Sequence, residues 1–298
     1  MTQLPVIQPG KPAPGGGSEP IFSKIGIVGL GLIGGSIALA SRQLWPSSLV
    51  IGVDNKDVLE TAMRLHAIDV AADDMIVLAE CDIVILAAPV RQNVALLEQL
   101  DENVHTPAVI TDTGSTKREI VEAARNLPSR FTFVGGHPLG GAAKSGLEHA
   151  RPDLFQGRPW LFTPMDDKAG GSLEKLLAFA AALGAEPRVV SASAHDRTLA
   201  FLSHLPQLTA SALMKVVGDA VGADGLALAG RGLVDTTRLA SSPADIWKDI
   251  AATNADELKQ ALDTFISLMI ALRDDLSVGE KLPEVFDAAG EWRRLLQK

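Results

Sequence analysis

Short, nearly continuous apolar runs punctuate the chain at residues 25–29, 49–54, 83–88, 108–112, 131–135, 160–163 and 188–190. Between most of them lie stretches with helical periodicity or high alanine content, at 57–66, 92–100, 116–126 and 172–183. A strand that is apolar on both sides belongs inside a sheet covered by helices on both faces. Alternation of such strands with helices demands right-handed parallel crossovers. The pattern predicts an α/β, doubly wound parallel sheet over residues 23–190.

Beyond residue 191 the strand signals stop and an all-α domain is predicted over 191–298. Leu258, Leu262, Phe265, Met269, Leu272 and Leu276 follow a 4, 3, 4, 3, 4 spacing, which lays one apolar seam along a helix. Asn254, with Glu257 three residues on, reads as the N-terminal cap of that helix. The seam fits either packing within the chain or pairing of two copies, and a homodimer through the helical domain is the expectation. Pro206 falls inside a helical pattern, 198–217, and is predicted to end or kink it.

Composition narrows the class. The 298 residues are 47% hydrophobic and 21% charged, which excludes a disordered or collagenous chain. Cys81 is the sole cysteine, so there is no internal disulfide, and Cys and His are too few for a structural zinc cluster. No metal and a reducing cytoplasm are the expectations. Residues 1–22, rich in Pro, Gly and Ser, read as a disordered tail with no signal peptide, and no segment reads as a membrane span. The net charge of −9 argues against a nucleic-acid partner but leaves room for an anionic small molecule at a locally basic site. There is no tyrosine, so no phenol is available for acid–base work.

Gly29-Leu30-Gly31-Leu32-Ile33-Gly34 follows the first predicted strand and opens a helix. Gly29 permits a tight turn, Gly31 lets backbone approach a pyrophosphate, and Gly34 lets helix and strand pack closely; Leu32 and Ile33 sit at the helix start, where free N–H groups face the phosphates. Asp54, at the end of the second strand, is placed to accept from ribose hydroxyls and to repel a 2′-phosphate, which favours NAD over NADP; Lys56 nearby works the other way. Ala88 and Pro89 end the strand at 83–88 and are expected to wall the nicotinamide side. These features define a Rossmann-type nucleotide site.

Chemistry-bearing residues converge on the same sheet edge. Ser115, in Asp112-Thr113-Gly114-Ser115-Thr116-Lys117, is placed either to cap a helix or to orient a catalytic group. His137, in Gly135-Gly136-His137-Pro138, reads as a base on a glycine-rich loop, since an imidazole with a pKa near about 6.5 takes a hydroxyl proton at neutral pH. His204 and Gln207 share one helix face, and His195-Asp196 near a helix start reads either as a further polar pair or as capping. Arg238 stands in a weakly charged stretch and offers a fork suited to a substrate carboxylate.

The set G-L-G-L-I-G-G-S, V-D-N-K, A-A-P-V-R, D-T-G-S-T-K, G-G-H-P-L-G-G, H-D with S-H-L-P-Q, and T-T-R-L-A-S-S-P with W-K-D-I resembles the prephenate/arogenate dehydrogenase family of tyrosine biosynthesis, from about residue 24 to 276. The resemblance implies NAD-linked oxidative decarboxylation of prephenate to 4-hydroxyphenylpyruvate, or of arogenate to tyrosine. It implies that His137 is the catalytic histidine, with Ser115 orienting it, and that Arg238 binds a carboxylate. His204 matches the histidine of the family's S-H-L-P element. Gln207 stands where many relatives have a second histidine that contacts substrate, so the resemblance implies that His204 and Gln207 bind substrate together with Arg238. Ala143 stands where several relatives have a glutamate, and both departures bear on substrate choice. The β-hydroxyacid dehydrogenases share the plan but use an interdomain lysine, for which this region offers only Lys215. A non-catalytic NAD-binding regulator is the alternative outside enzymes.

Overall fold

The computed structural model of the chain describes residues 19–140, 145–165 and 169–296. Ala143 and most of the segment 1–22 lie outside the described residues. One eight-stranded sheet is built from β1 (Lys24–Val28), β2 (Leu49–Val53), β3 (Val70–Ala72), β4 (Ile83–Leu86), β5 (Ala108–Asp112), β6 (Phe131–Pro138), β7 (Pro159–Pro164) and β8 (Glu186–Val189). Its order is β3-β2-β1-β4-β5-β6-β7-β8. Every pairing is parallel except β6 with β7. Each apolar run of the sequence becomes a strand. The addition is β3, whose Val70-Ala71-Ala72 is too short and too weakly apolar to announce itself.

Helices α1 (Leu32–Leu44), α2 (Lys56–Arg64), α3 (Val90–Asn103), α4 (Arg118–Ala123) and α5 (Gly170–Ala182) accompany the sheet. Apolar clusters lie on both faces, one around Ile27, Ile37 and Phe162, the other around Val84, Ile110 and Phe133. Phe22 corrects the expected tail boundary. It is buried, edge-on to Phe179 at 5.7 Å, while Trp45 stacks on the same Phe179 ring at 5.3 Å. Burying such a ring stabilises by about 1.5–3 kcal/mol, enough to hold the chain just ahead of β1.

From Ala192 onward the described elements are helical: α6 (Ala192–Leu199), α7 (Leu205–Leu226), α8 (Arg231–Thr236), α9 (Ala244–Thr253), α10 (Ala255–Asp275) and α11 (Lys281–Leu295). Between α6 and α7 the chain makes a π-helical turn, Ala200–His204, immediately before Pro206. A proline lacks its N–H and its ring crowds the carbonyl four residues back, so the ladder loosens there. The wider turn carries His204 into the interior, where it is 1% exposed.

Candidate active site

At the end of β1, Gly29 adopts φ +92° and its N–H reaches Val53 O at 2.9 Å, turning the chain sharply into α1. A Cβ on Gly34 would lie 1.9 Å from Gly29 O, so the helix can sit this close to the turn only without a side chain there. Gly31 is different: a Cβ on it would meet nothing within 4 Å. Its open face, with Leu32, Ile33, Ala87, Ala88 and Pro89, lines a cleft of about 620 Å³. The N-terminus of α1 has no side-chain cap, and its free N–H groups suit a pyrophosphate. Asp54 Oδ2 accepts Leu30 N–H at 2.6 Å, while Asn55 N–H and Nδ2 both donate to Oδ1, which aims the carboxylate at the loop. Neighbouring β1 and β4 send their chains opposite ways, the topological position where such folds hold nucleotides. A dinucleotide fits this cradle. Asn93, which no sequence motif marks, is fully buried and fixes the β4 turn by accepting from Ala88 N and donating to Leu86 O.

His137 is placed inside β6, opposite Leu161, and not on a loop after the strand. The glycines before it serve packing. A Cβ on Gly136 would lie 2.5 Å from Asp112 O, and one on Gly135 would lie 2.3 Å from Thr163 Oγ1. The rigid strand presents the half-buried His137 ring to the cleft. Its Nδ1 lies 2.9 Å from His195 Nε2, and His195 Nδ1 lies 2.8 Å from Asp196 Oδ1. Asp196 is also the acceptor for Lys117 N–H at 2.7 Å, Arg118 N–H at 2.9 Å and Arg118 Nε at 3.2 Å. It thus caps α4 from another helix. Behind the pair, Lys117 Nζ and Asp112 form an ion pair in which both side chains are fully buried; Asp112 Oδ1 further accepts Gly136 N–H at 3.0 Å.

These surroundings set the protonation states. Burial, reinforced by His195, Lys117 and His204, holds His137 well below the ordinary histidine range. Burial also lowers His195, against the opposing pull of Asp196. His204 is pushed down to about 4, chiefly by burial. For Asp196 burial works upward but is outweighed by hydrogen bonds from His195 and the α4 backbone, and its carboxyl lies below its usual value. The cluster is therefore neutral imidazoles on an ionised carboxylate at pH 7, a state suited to accepting a proton.

Ser115 is half-buried in the cleft wall and is not the α4 cap, which is Lys117 backed by the Asp196 carboxylate. Asn254 does precede α10, but its side chain makes no cap there. Instead it donates to Asp196 O at 2.8 Å, accepts from Arg118 and stands 3.4 Å from His204 Nδ1. His204 lies edge-on to Trp247, whose indole lines the cleft. Gln207 does not face the cleft: its amide donates to Leu239 O at 2.8 Å and Ser211, and accepts from Ser242 Oγ. Arg238 is exposed on the turn Arg238–Ser241, just ahead of the cleft-lining Ser242 and Pro243. Lys215 is exposed and pairs with Asp219, away from the cleft wall. The sequence points to His137 and Ser115. His195-Asp196 is visible there only as a polar pair or cap and Asn254 only as a cap. That they join Lys117 and Arg118 in one cluster behind His137 escapes the sequence, because the partners lie 58 or more positions apart across the main contacts.

A Rossmann nucleotide cradle facing a half-buried histidine across a cleft, closed by a helical domain, fits a nucleotide-dependent oxidoreductase. The chain belongs to the prephenate dehydrogenase family: residues 37–189 match its nucleotide-binding domain and residues 191–287 its dimerization domain. It is 34% identical over 275 residues to the prephenate dehydrogenase of Bacillus subtilis, spanning 90% of this chain and 74% of that one. It is 30% identical to the cyclohexadienyl dehydrogenase of Zymomonas mobilis, covering 93% and 97% of the two chains. The structure of Aquifex aeolicus prephenate dehydrogenase in complex with hydroxyphenyl propionate and NAD+ superposes with a TM-score of 0.84 at 28% identity, over 92% of this chain and 98% of that one.

Proposed function

We propose that the protein oxidatively decarboxylates prephenate to 4-hydroxyphenylpyruvate with NAD, with arogenate as the alternative substrate. The observation that carries the reading is His137, a neutral imidazole fixed on a strand beside the nucleotide cradle. Bound on Gly31 and the start of α1, NAD supplies the hydride acceptor, and Asp54 favours it over NADP by meeting ribose hydroxyls and opposing a 2′-phosphate. His137 takes the proton of the substrate's ring hydroxyl as hydride leaves the same carbon. It returns the proton to that oxygen when the ring carboxylate departs as CO2 and the ring becomes aromatic. Ser115, in the same wall, orients the hydroxyl. His204 acts through Trp247, holding the indole against the ring.

Arg238 is assigned the substrate carboxylate: its guanidinium is the basic group nearest in sequence to the Ser242–Pro243 wall, and it has no ion-pair partner among the described residues. Gln207 makes no contact with the substrate, since its amide is spent on the turn that bears Arg238. Without a second histidine, recognition of the side chain rests on fewer charges, which leaves both the keto acid and the amino acid acceptable.

Purified protein is expected to reduce NAD with prephenate, arogenate or both, and faster than it reduces NADP. His137→Asn is expected to lower kcat by about 10²–10⁴-fold while cofactor affinity holds. Arg238→Ala raises KM more than it lowers kcat. Full turnover by the His137 variant overturns the assignment of the base.

A further inference from the structure

The contacts behind His137 decide more than its position. The structure assigns to His195 and Asp196 the role of positioning residues that set which nitrogen of His137 is the base; this rests on His137 being the base at all. A carboxylate surrounded by the donors Lys117 N–H, Arg118 N–H and Arg118 Nε–H can only accept from its remaining neighbour. His195 Nδ1, at 2.8 Å, must therefore carry the proton of that ring. In a neutral imidazole the other nitrogen is then an acceptor, so His195 Nε2 presents a lone pair to His137 Nδ1 at 2.9 Å. That bond requires the proton of His137 to sit on Nδ1. Its Nε2, which has no partner among the described residues, is left with its lone pair toward the cleft.

Each ring thus fixes the next, from an anchor at the α4 N-terminus to the base. When His137 Nε2 takes the substrate's proton, the positive ring already donates to His195, whose own donor faces the Asp196 charge. The imidazolium is met by an arrangement that need not reorganise, which is how a polar site lowers a barrier. The reverse tautomer would put N–H on Nε2 and leave His137 a donor with no basic atom in the cleft.

Asn254 and Arg118 reinforce the anchor. Asn254 grips the Asp196 carbonyl, and Arg118 joins Asp196 to Asp256 at the start of α10. The base is accordingly set by residues on three separate helices, which couples the packing of the helical half to the chemistry of the sheet half.

The test is the tautomer itself, read on the full-length protein labelled with 15N-histidine, by long-range proton–nitrogen correlation at pH 7.5. The expected result is that both His137 and His195 carry their proton on Nδ1, the signals being assigned by their loss in His137→Asn and His195→Asn. Protonation of His137 on Nε2 overturns the proposal. Kinetics give a second reading. His195→Asn is too short to reach His137 and is expected to lower kcat by about a hundredfold, with KM and cofactor Kd within about twofold. A purely structural role would instead move the cofactor Kd and Tm, and a well-folded His195 variant with undiminished kcat overturns the proposal. Should that variant fail to fold, the wild-type tautomers still decide it. If neither prephenate nor arogenate is turned over, the substrate reading fails, while the tautomers still test the arrangement by themselves.

Discussion

The sheet half and the helical half treat their apolar residues in opposite ways. Along β1, β4 and β5 nearly every side chain is buried, and the charged or amide groups Asn93, Asp112 and Lys117 find partners inside. Along α10 only Leu258 and Ala261 are buried, while Ile266, Leu268, Met269 and Ile270 are 44–49% exposed. Further on, Phe286 and Trp292 of α11 are 70% and 64% exposed. The first half is complete in one chain, whereas single soluble chains do not leave this much large apolar surface uncovered. The seam along α10 is thus buried within the chain only at its first turn. The rest is expected to meet a second copy, in keeping with the dimerization-domain match over 191–287.

Two glycines carry the contrast into the sheet half. Gly34→Val forces side-chain atoms into Gly29 O, a backbone atom that cannot move aside without undoing the turn. The largest effect is expected from this change: several kcal/mol of lost stability and no measurable NAD binding, seen by denaturant unfolding and by fluorescence titration. Gly31→Ala meets nothing in the chain itself, so unfolding should stay within about 0.5 kcal/mol of wild type while NAD affinity drops at least tenfold. Equal loss of stability in both variants would show that the open face of Gly31 is not kept for a ligand.

On the helical side, Ile266 and Met269 lie three residues apart on one face of α10. Replacing both with Asp costs little in an isolated chain because both are exposed already. In a dimer the pair would bury four unpaired carboxylates. Light scattering coupled to gel filtration should find the wild type at twice the chain mass and the variant at 31.4 kDa. A variant that keeps the mass of the wild type places the interface elsewhere.

The same contrast explains what a reader of the sequence can recover. Buried strands are continuous apolar runs, so the sheet is traceable from Ile25 to Val190, and Gly29, Gly34 and Asp54 carry a spacing tied to one geometry. Ser115 and His137 are legible because each sits beside glycines at a strand end. Side-chain partnerships across distant segments leave no local mark: Asp196 capping α4, or Asn254 turning from its own helix to Asp196 and His204, depends on how α4, α6 and α10 meet. Gln207 misleads for the opposite reason, since its i, i+3 relation to His204 is real but the π-helical turn before Pro206 separates their surroundings.

A pH dependence belongs to the junction of the two halves. His137, His195 and His204 are all held neutral in the folded protein, with His204 pushed down to about 4. An unfolded histidine titrates near about 6.5, so between about pH 6.5 and 4 the unfolded chain binds protons that the folded chain refuses. Stability is therefore full above about pH 6.5 and falls as the pH drops through that window, by at most about 3 kcal/mol for His204 alone. The depressed carboxylates Asp196 and Asp256 add their loss only at lower pH. Calorimetric Tm should thus begin to fall near about pH 6.5, ahead of the carboxylate range. His204→Gln, which removes one titrating ring, should flatten that decline, and a variant whose Tm falls as steeply as wild type would place the sensitivity in His137 and His195.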